Sequence, residues 1–210
     1  MIQHTIGLLL KPKEQWRTIA SLPESSQNIL VLYPFIFALL PAVAWYWGTS
    51  HMGWTVGTYN QVICLTPESA LQVNILFYCV MVAAITGIGY FIHWMSDTYG
   101  AENSTIAKGV MIAGLTATPL FVSGLVGFYP LLWLDLLIGV VAVSGSVYLM
   151  YLGIPIIMDI PQERGFLFSS AILAIALVIL VSIMVVSILA WDFGAAPAFT
   201  DACGMAAAAG

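Results

Sequence analysis

The sequence predicts an all-α protein: a polytopic membrane helix bundle with five transmembrane helices, N-terminus cytoplasmic and C-terminus outside. Three observations carry that expectation. Of the 210 residues, 61% are hydrophobic and only 7% are charged, and the mean hydropathy is +0.99. A soluble domain carries about 25% charged residues, so this chain cannot cover a water-facing surface, which excludes a secreted disulfide scaffold, a disordered tail and a cytosolic enzyme. The apolar residues fall into five runs near the length of about 20 that a bilayer core demands, without the alternation of a barrel strand. All five Lys and Arg residues fall on one side of those runs. The net charge of −5 argues against nucleic acid, whose binding takes concentrated cations.

The elements follow in chain order. Residues 1–28 form a cytoplasmic N-terminal segment. Its apolar run from Ile6 to Leu10 is too short for a signal sequence, and Ile2 stands where myristoylation would need glycine. Pro12–Ala20 reads as a short helix, with Pro12 suited to a first helical position. Trp16, Ile19 and Ala20 share one face, and Lys13 and Arg17 point elsewhere. The helix either lies in the membrane interface or docks on the bundle. Residues 29–191 form the five-span domain, with spans over Ile29–Trp47, Val73–Trp94, Ile106–Phe128, Leu131–Ile157 and Phe166–Trp191. Residues 192–210 form an external tail. Trp45, Trp47, Trp94, Phe128, Tyr129, Trp133 and Trp191 mark span ends, where amphipathic rings prefer to sit.

Orientation follows from the cations. Lys11, Lys13 and Arg17 precede span one, Lys108 separates spans two and three, and Arg164 separates spans four and five. The segment from Gly48 to Gln72, the turn at Tyr129 and the tail have none. Cationic loops stay in the cytoplasm. Most of the excess acid (Glu68, Asp135, Asp192 and Asp201) then faces outward.

Few residues carry chemistry. Pro34 and Pro41 sit seven apart in span one, Pro119 interrupts span three, and Pro155 ends span four. Each frees carbonyls that neighbours or cavity water must satisfy, so these prolines mark either packing kinks or a site. Gly109, Ala113 and Ala117, with Gly114 and Thr118, give span three a small-residue spacing that allows close helix contact. Span four offers Ala142 and Ser146 around Gly145, and span five looks lipid-facing. Asp135, one turn inside span four, is an ionisable group at depth and would be hydrated or paired with Ser, Thr or Tyr of a neighbouring helix. His93 and Asp97, at i,i+4, can share a face. Cys79 reads as an inert packing residue, and Cys64 and Cys203 fall outside, where a disulfide is open to them. No P-loop, GxSxG, HExxH or CxxC is present. The expected catalytic, cofactor and metal residues are therefore none.

Two segments resemble a known family. Val147-Tyr148-Leu149-Met150-Tyr151-Leu152-Gly153-Ile154-Pro155-Ile156-Ile157-Met158, followed by Pro161, is similar to the segment that ends the fourth span in the bacterial branch of the Yip (Ypt-interacting protein) family. Pro12, Trp16 and Ile19 match that family's P-x-x-x-W-x-x-I lead-in, and Ala117-Thr118-Pro119, Gly127 and Tyr129-Pro130 lie between the two in the expected order. The resemblance covers about residues 8–190 and implies five helices with a cytoplasmic N-terminus. Eukaryotic members bind small GTPases in vesicle traffic, but this chain lacks their long N-terminal region and DLYGP-type motif, so that role is not implied.

The expected function is a non-enzymatic inner-membrane scaffold or accessory subunit that binds other membrane proteins. Its docking surfaces would be the turns from Ser96 to Thr105 and from Asp159 to Arg164, with the N-terminal helix. The alternative is a small-solute or lipid transporter whose cavity is lined by Pro34, Pro41, Pro119 and Asp135. The expected partners are the lipid bilayer and other integral membrane proteins or a second copy, with no nucleic acid and no cofactor.

Overall fold

The computed structural model describes residues 2–56, 61–101, 104–191, 196–200 and 203. Among these, four helices are long and apolar enough to cross a bilayer, and a bent pair completes a fifth span. Span one is Glu24–Met52, span two Pro67–Tyr99, span three Ile106–Thr116 with Thr118–Phe128, span four Leu132–Ile157 and span five Gln162–Ala190. Several run past the apolar stretches because polar caps lengthen them. Thr66 Oγ1 accepts the Ser69 N–H ahead of Pro67 at the first turn of span two, and Thr105 Oγ1 accepts the Lys108 N–H at span three. Such caps satisfy amide donors that have no partner within the helix.

Proline breaks two of the spans. Span one is helical in three pieces, Glu24–Leu30, Tyr33–Phe37 and Leu39–Trp47, and finishes in a π-turn over Gly48–Met52. Span three bends by 44° between its halves. A prolyl ring removes one donor and crowds the carbonyl four residues back. At Pro119 that carbonyl belongs to Leu115, and the Thr118 hydroxyl donates to it at 2.6 Å. In span one the Phe35 carbonyl accepts the Tyr78 hydroxyl of span two at 3.1 Å.

Each of these rings also fills a notch on another span. A Cβ placed on Gly114 would lie 2.8 Å from the Pro34 ring, and one on Gly145 would lie 3.3 Å from Pro119. Pro41 packs on Gly124, and Pro155 on Gly165, in the same way. The prolines therefore stitch span one to span three, span three to span four, and span four to span five. Pro34, Pro41 and Pro119, expected to line a cavity between spans one, three and four, each contact a glycine of another span. Gly109 against Gly89 brings spans two and three into backbone contact. Gly109 through Thr116 are all buried, which makes span three the centre of the bundle.

Two helices precede span one: α1 (Ile2–Leu10) and α2 (Pro12–Ala20). They form a hairpin, held by a 2.6 Å hydrogen bond between Gln15 Nε2 and His4 Nδ1. Of the two placements open to α2, the structure shows docking. Trp16 and Ile19 are fully buried, and the Trp16 ring would meet a Cβ on Gly153 at 2.6 Å.

On the side opposite the cations, β1 (Trp54–Val56) and β2 (Gln61–Leu65) pair antiparallel with Trp54 opposite Ile63. A short β3 (Phe199–Thr200) adds to β2 with Cys64 opposite Thr200.

Of the seven boundary aromatics, six are exposed, as a membrane belt requires. Trp45 packs instead against Gly127. Cys79 is exposed on the lipid face of span two and does not pack between helices.

Filled and open glycines should respond oppositely to an added methyl. Gly114→Ala meets the rigid Pro34 ring and should lower stability by about 1–3 kcal/mol. Gly139→Ala, where nothing lies within 4 Å, should be neutral or stabilising by up to about 1 kcal/mol. Thermal unfolding of the two variants in one detergent measures the contrast.

Candidate functional site

The most developed polar feature of the bundle is a chain of hydroxyls where α1 enters it. Thr5 Oγ1 lies 3.2 Å from Tyr33 Oη, which lies 2.9 Å from Thr118 Oγ1. All three residues are buried. Each hydroxyl carries a single proton, so the directions follow. Thr118 spends its proton on the Leu115 carbonyl; Tyr33 therefore donates to Thr118 and accepts from Thr5. The relay ends on the carbonyl that Pro119 displaces. It ties the N-terminal helix to the bend of span three through span one.

The site is deep. At ~1.5 Å per residue, Tyr33 lies about 14 Å along span one from Glu24, and Thr118 about 18 Å along span three from Ile106. The Tyr33 ring stacks on Phe37 with centroids 4.2 Å apart and tilts against Phe121. Outward from the relay, Ile6, Leu9 and Leu10 of α1 are exposed, the disposition of a helix that also faces lipid.

A second constellation lies at the basic side. Tyr99 stacks on Phe168 of span five at 4.8 Å, and Gly100, held at φ +80°, approaches Arg164 so that a Cβ there would sit 2.7 Å from Nη1. The turns at Ser96–Ala101 and Asp159–Arg164 thus form one surface, along which Asp97, Asp159, Glu163 and Arg164 are exposed. Glu102 and Asn103, part of the expected docking turn, lie outside the described residues. Nearby, Glu24, Gln27, Asn28, Thr105 and Lys108 line a cavity of about 80 Å³. At ~30 Å³ per water it has room for two or three waters, at one end of the bundle.

The remaining singled-out residues are not drawn together. His93 Nδ1 lies 3.2 Å from Ser104 Oγ and does not engage Asp97, because i,i+4 spacing permits a shared face without imposing a bond. Asp135 makes no pair with a neighbouring hydroxyl: its Oδ1 is buried without a partner among the described residues. Pro34, Pro41, Pro119 and Pro155 serve the interlocks described above. Cys64 and Cys203 are joined, with Cα atoms 5.4 Å apart. Among the described residues no group of three or more His, Cys, Asp or Glu side chains could hold a metal ion.

Thr5, Tyr33 and buried Asn74, whose Nδ2 donates to the Ala70 carbonyl at 2.8 Å, went unremarked in the sequence. The available signal was Thr118 directly before Pro119: a hydroxyl in that place can replace the donor that proline lacks.

Partial burial holds the His4 imidazole below its ordinary range. The fold therefore favours the neutral ring, and its contribution is complete above the unfolded value of about 6.5. It is lost as pH falls below that and through the folded value. The protection of α1 amides, measured relative to the intrinsic exchange rate at each pH, should fall between pH 7.5 and 5, and a His4→Gln variant should flatten that change. Separately, Tyr33→Phe should cost about 1 kcal/mol. Thr118→Val should cost more, because it also strips the Leu115 carbonyl of its donor. Unfolding midpoints in detergent rank the two.

The profile of the Yip1 domain family matches residues 6–183. The curated protein named "Inner membrane protein YohC" from Escherichia coli strain K12 is 34% identical over 193 residues, covering 92% of this chain and 98% of the relative. The protein of the same name from Escherichia coli O6:H1 matches to the same extent. No solved structure matches this chain.

Proposed function

The chain belongs to the Yip1 domain family and is a multi-pass inner-membrane protein, and from that premise we propose that it works as a non-enzymatic scaffold or accessory subunit that binds other membrane proteins. One observation carries this: the two basic-side turns merge into a single exposed surface, fixed from below by the Tyr99–Phe168 stack. A surface with Asp97, Asp159 and Glu163 around Arg164 offers both signs of charge on a rigid base, which suits specific recognition of a protein partner. Asp159 sits at φ +50°, an unusual conformation for a residue other than glycine, and this holds the second turn in a defined shape.

The proposed orientation places that surface in the cytoplasm, since loops rich in Lys and Arg are retained there. Lys11, Lys13, Arg17, Lys108 and Arg164 all stand on that side of the five spans. Several of the interior's polar groups are already engaged within the fold, which favours a binding role over a catalytic one. Thr49 and Ser50 bond to carbonyls of their own turn, and Thr5, Tyr33 and Thr118 are consumed in the relay.

Affinity capture of the full chain in a mild detergent should recover a second membrane protein in constant ratio. The double variant Glu163→Lys, Arg164→Glu should reduce that recovery at least about fivefold while leaving the unfolding midpoint unchanged, because both side chains are exposed. Recovery of this chain alone, or of a partner indifferent to the charge reversal, would overturn the assignment.

A further inference from the structure

Span five is held unevenly. Its buried residues, Gly165, Phe168, Ser169 and Ile172, all lie in the half nearest the basic side. In its most apolar window only 6% is buried; Leu177, Val178, Val181, Met184, Val185 and Ile188 are exposed, and the far half keeps one partly buried face, Ala176, Ile179, Ile183, Ser187 and Ala190, from which Ile179 approaches Gly87 of span two. Packing within the membrane therefore fixes one end of this span firmly and holds the other by a single, partly buried face.

A further tie comes from the chain beyond it. The Thr66 N–H donates to the Ala198 carbonyl at 3.0 Å, and the Ala198 N–H donates to Ser69 Oγ at 2.9 Å. Thr66 and Ser69 are the cap of span two, so the tail of span five is laid on the start of span two. β3 then pairs with β2, and Cys203 closes on Cys64 across a sequence separation of 139 residues. The closed loop encloses spans two to five. Cys64 is buried under Gly53, which holds φ +70° and leaves space that a Cβ would close to 2.6 Å from the sulfur. Closing so long a loop constrains the unbonded chain more than a short one would.

We propose that Cys64 and Cys203 are a redox modification site, oxidised from outside the cytoplasm by a disulfide-bearing thiol oxidase, and that their bond is a clasp tying the weakly packed end of span five to span two. The exchange balances. The thiolate of Cys203, the less buried of the two, attacks a sulfur of the donor disulfide and expels one donor thiolate. The Cys64 thiolate then attacks the mixed disulfide at Cys203 and expels the donor's second sulfur. Two electrons and two protons pass to the donor, which leaves as a dithiol. An oxidising compartment is where such a bond persists, so the site also assigns the β-sheet side to the exterior without reference to the cations.

Two measurements on the full-length protein test this. Intact spheroplasts are treated with a membrane-impermeant maleimide mass tag, with and without a phosphine reductant. Neither Cys64 nor Cys203 should react before reduction, and both should react after it from the outer side. Purified wild-type protein is then followed by amide exchange in detergent. Reduction should raise exchange over residues 177–189 by about tenfold or more, while residues 165–172 stay within about twofold. The double variant Cys64→Ser, Cys203→Ser should match the reduced protein and ignore the reductant. Thiols that react without reduction would overturn the modification site, as would tagging that occurs only after permeabilisation. A uniform change along span five, or none, would overturn the clasp.

Discussion

A proline ring seated in a glycine notch is the contact on which the bundle depends. Between membrane helices there is little hydrophobic drive, because lipid tails are as apolar as leucine, so association rests on close packing and interhelical hydrogen bonds. Pro34 on Gly114, Pro41 on Gly124, Pro119 on Gly145 and Pro155 on Gly165 supply that closeness along a connected path through spans one, three, four and five. The same residue type that breaks a helix thereby joins two. Span two enters by another route, through backbone contact between Gly89 and Gly109, and so all five spans refer to span three directly or through span four.

The polar architecture is a consequence of those breaks. A ring at Pro119 leaves the Leu115 carbonyl in need of a donor, in surroundings where an unsatisfied group is costly. Thr118 meets that need, and its oxygen then becomes an acceptor for Tyr33, whose own oxygen accepts from Thr5. One broken helical bond thus recruits three hydroxyls from three segments, and the N-terminal helix is held by a chain that begins with a proline in another span. The binding role proposed for the basic side rests on the same economy: polar groups committed to the interior leave recognition to the exposed turns.

The five spans were legible in the sequence because each is a continuous apolar run, and α2 was legible because Pro12 opens it and Trp16 and Ile19 fall on one face. The prolines were visible as interruptions, but their role was not, because the glycine that receives each ring lies on a different span and no local pattern announces the match. The i,i+4 spacing lets His93 and Asp97 share a face, but Ser104, from the next turn, is the residue His93 meets. The relay escaped notice because Thr5, Tyr33 and Thr118 are ordinary residues, distinguished only by convergence. The outer sheet escaped for a related reason: β3 comes from the far end of the chain, and a two-residue strand has no signature of its own.

The seat of the N-terminal hairpin has a consequence for assembly. α1 docks on Tyr33 of span one and Thr118 of span three, and α2 docks on Gly153 of span four. The parts of that seat on spans three and four do not exist until most of the chain has entered the bilayer, whereas the hairpin leaves the ribosome before all of it. Residues synthesised ahead of all five spans are thus the last to find their partners. Order of birth and order of settlement run in opposite directions, and the N-terminal segment must wait at the membrane surface until spans three and four have closed beside span one.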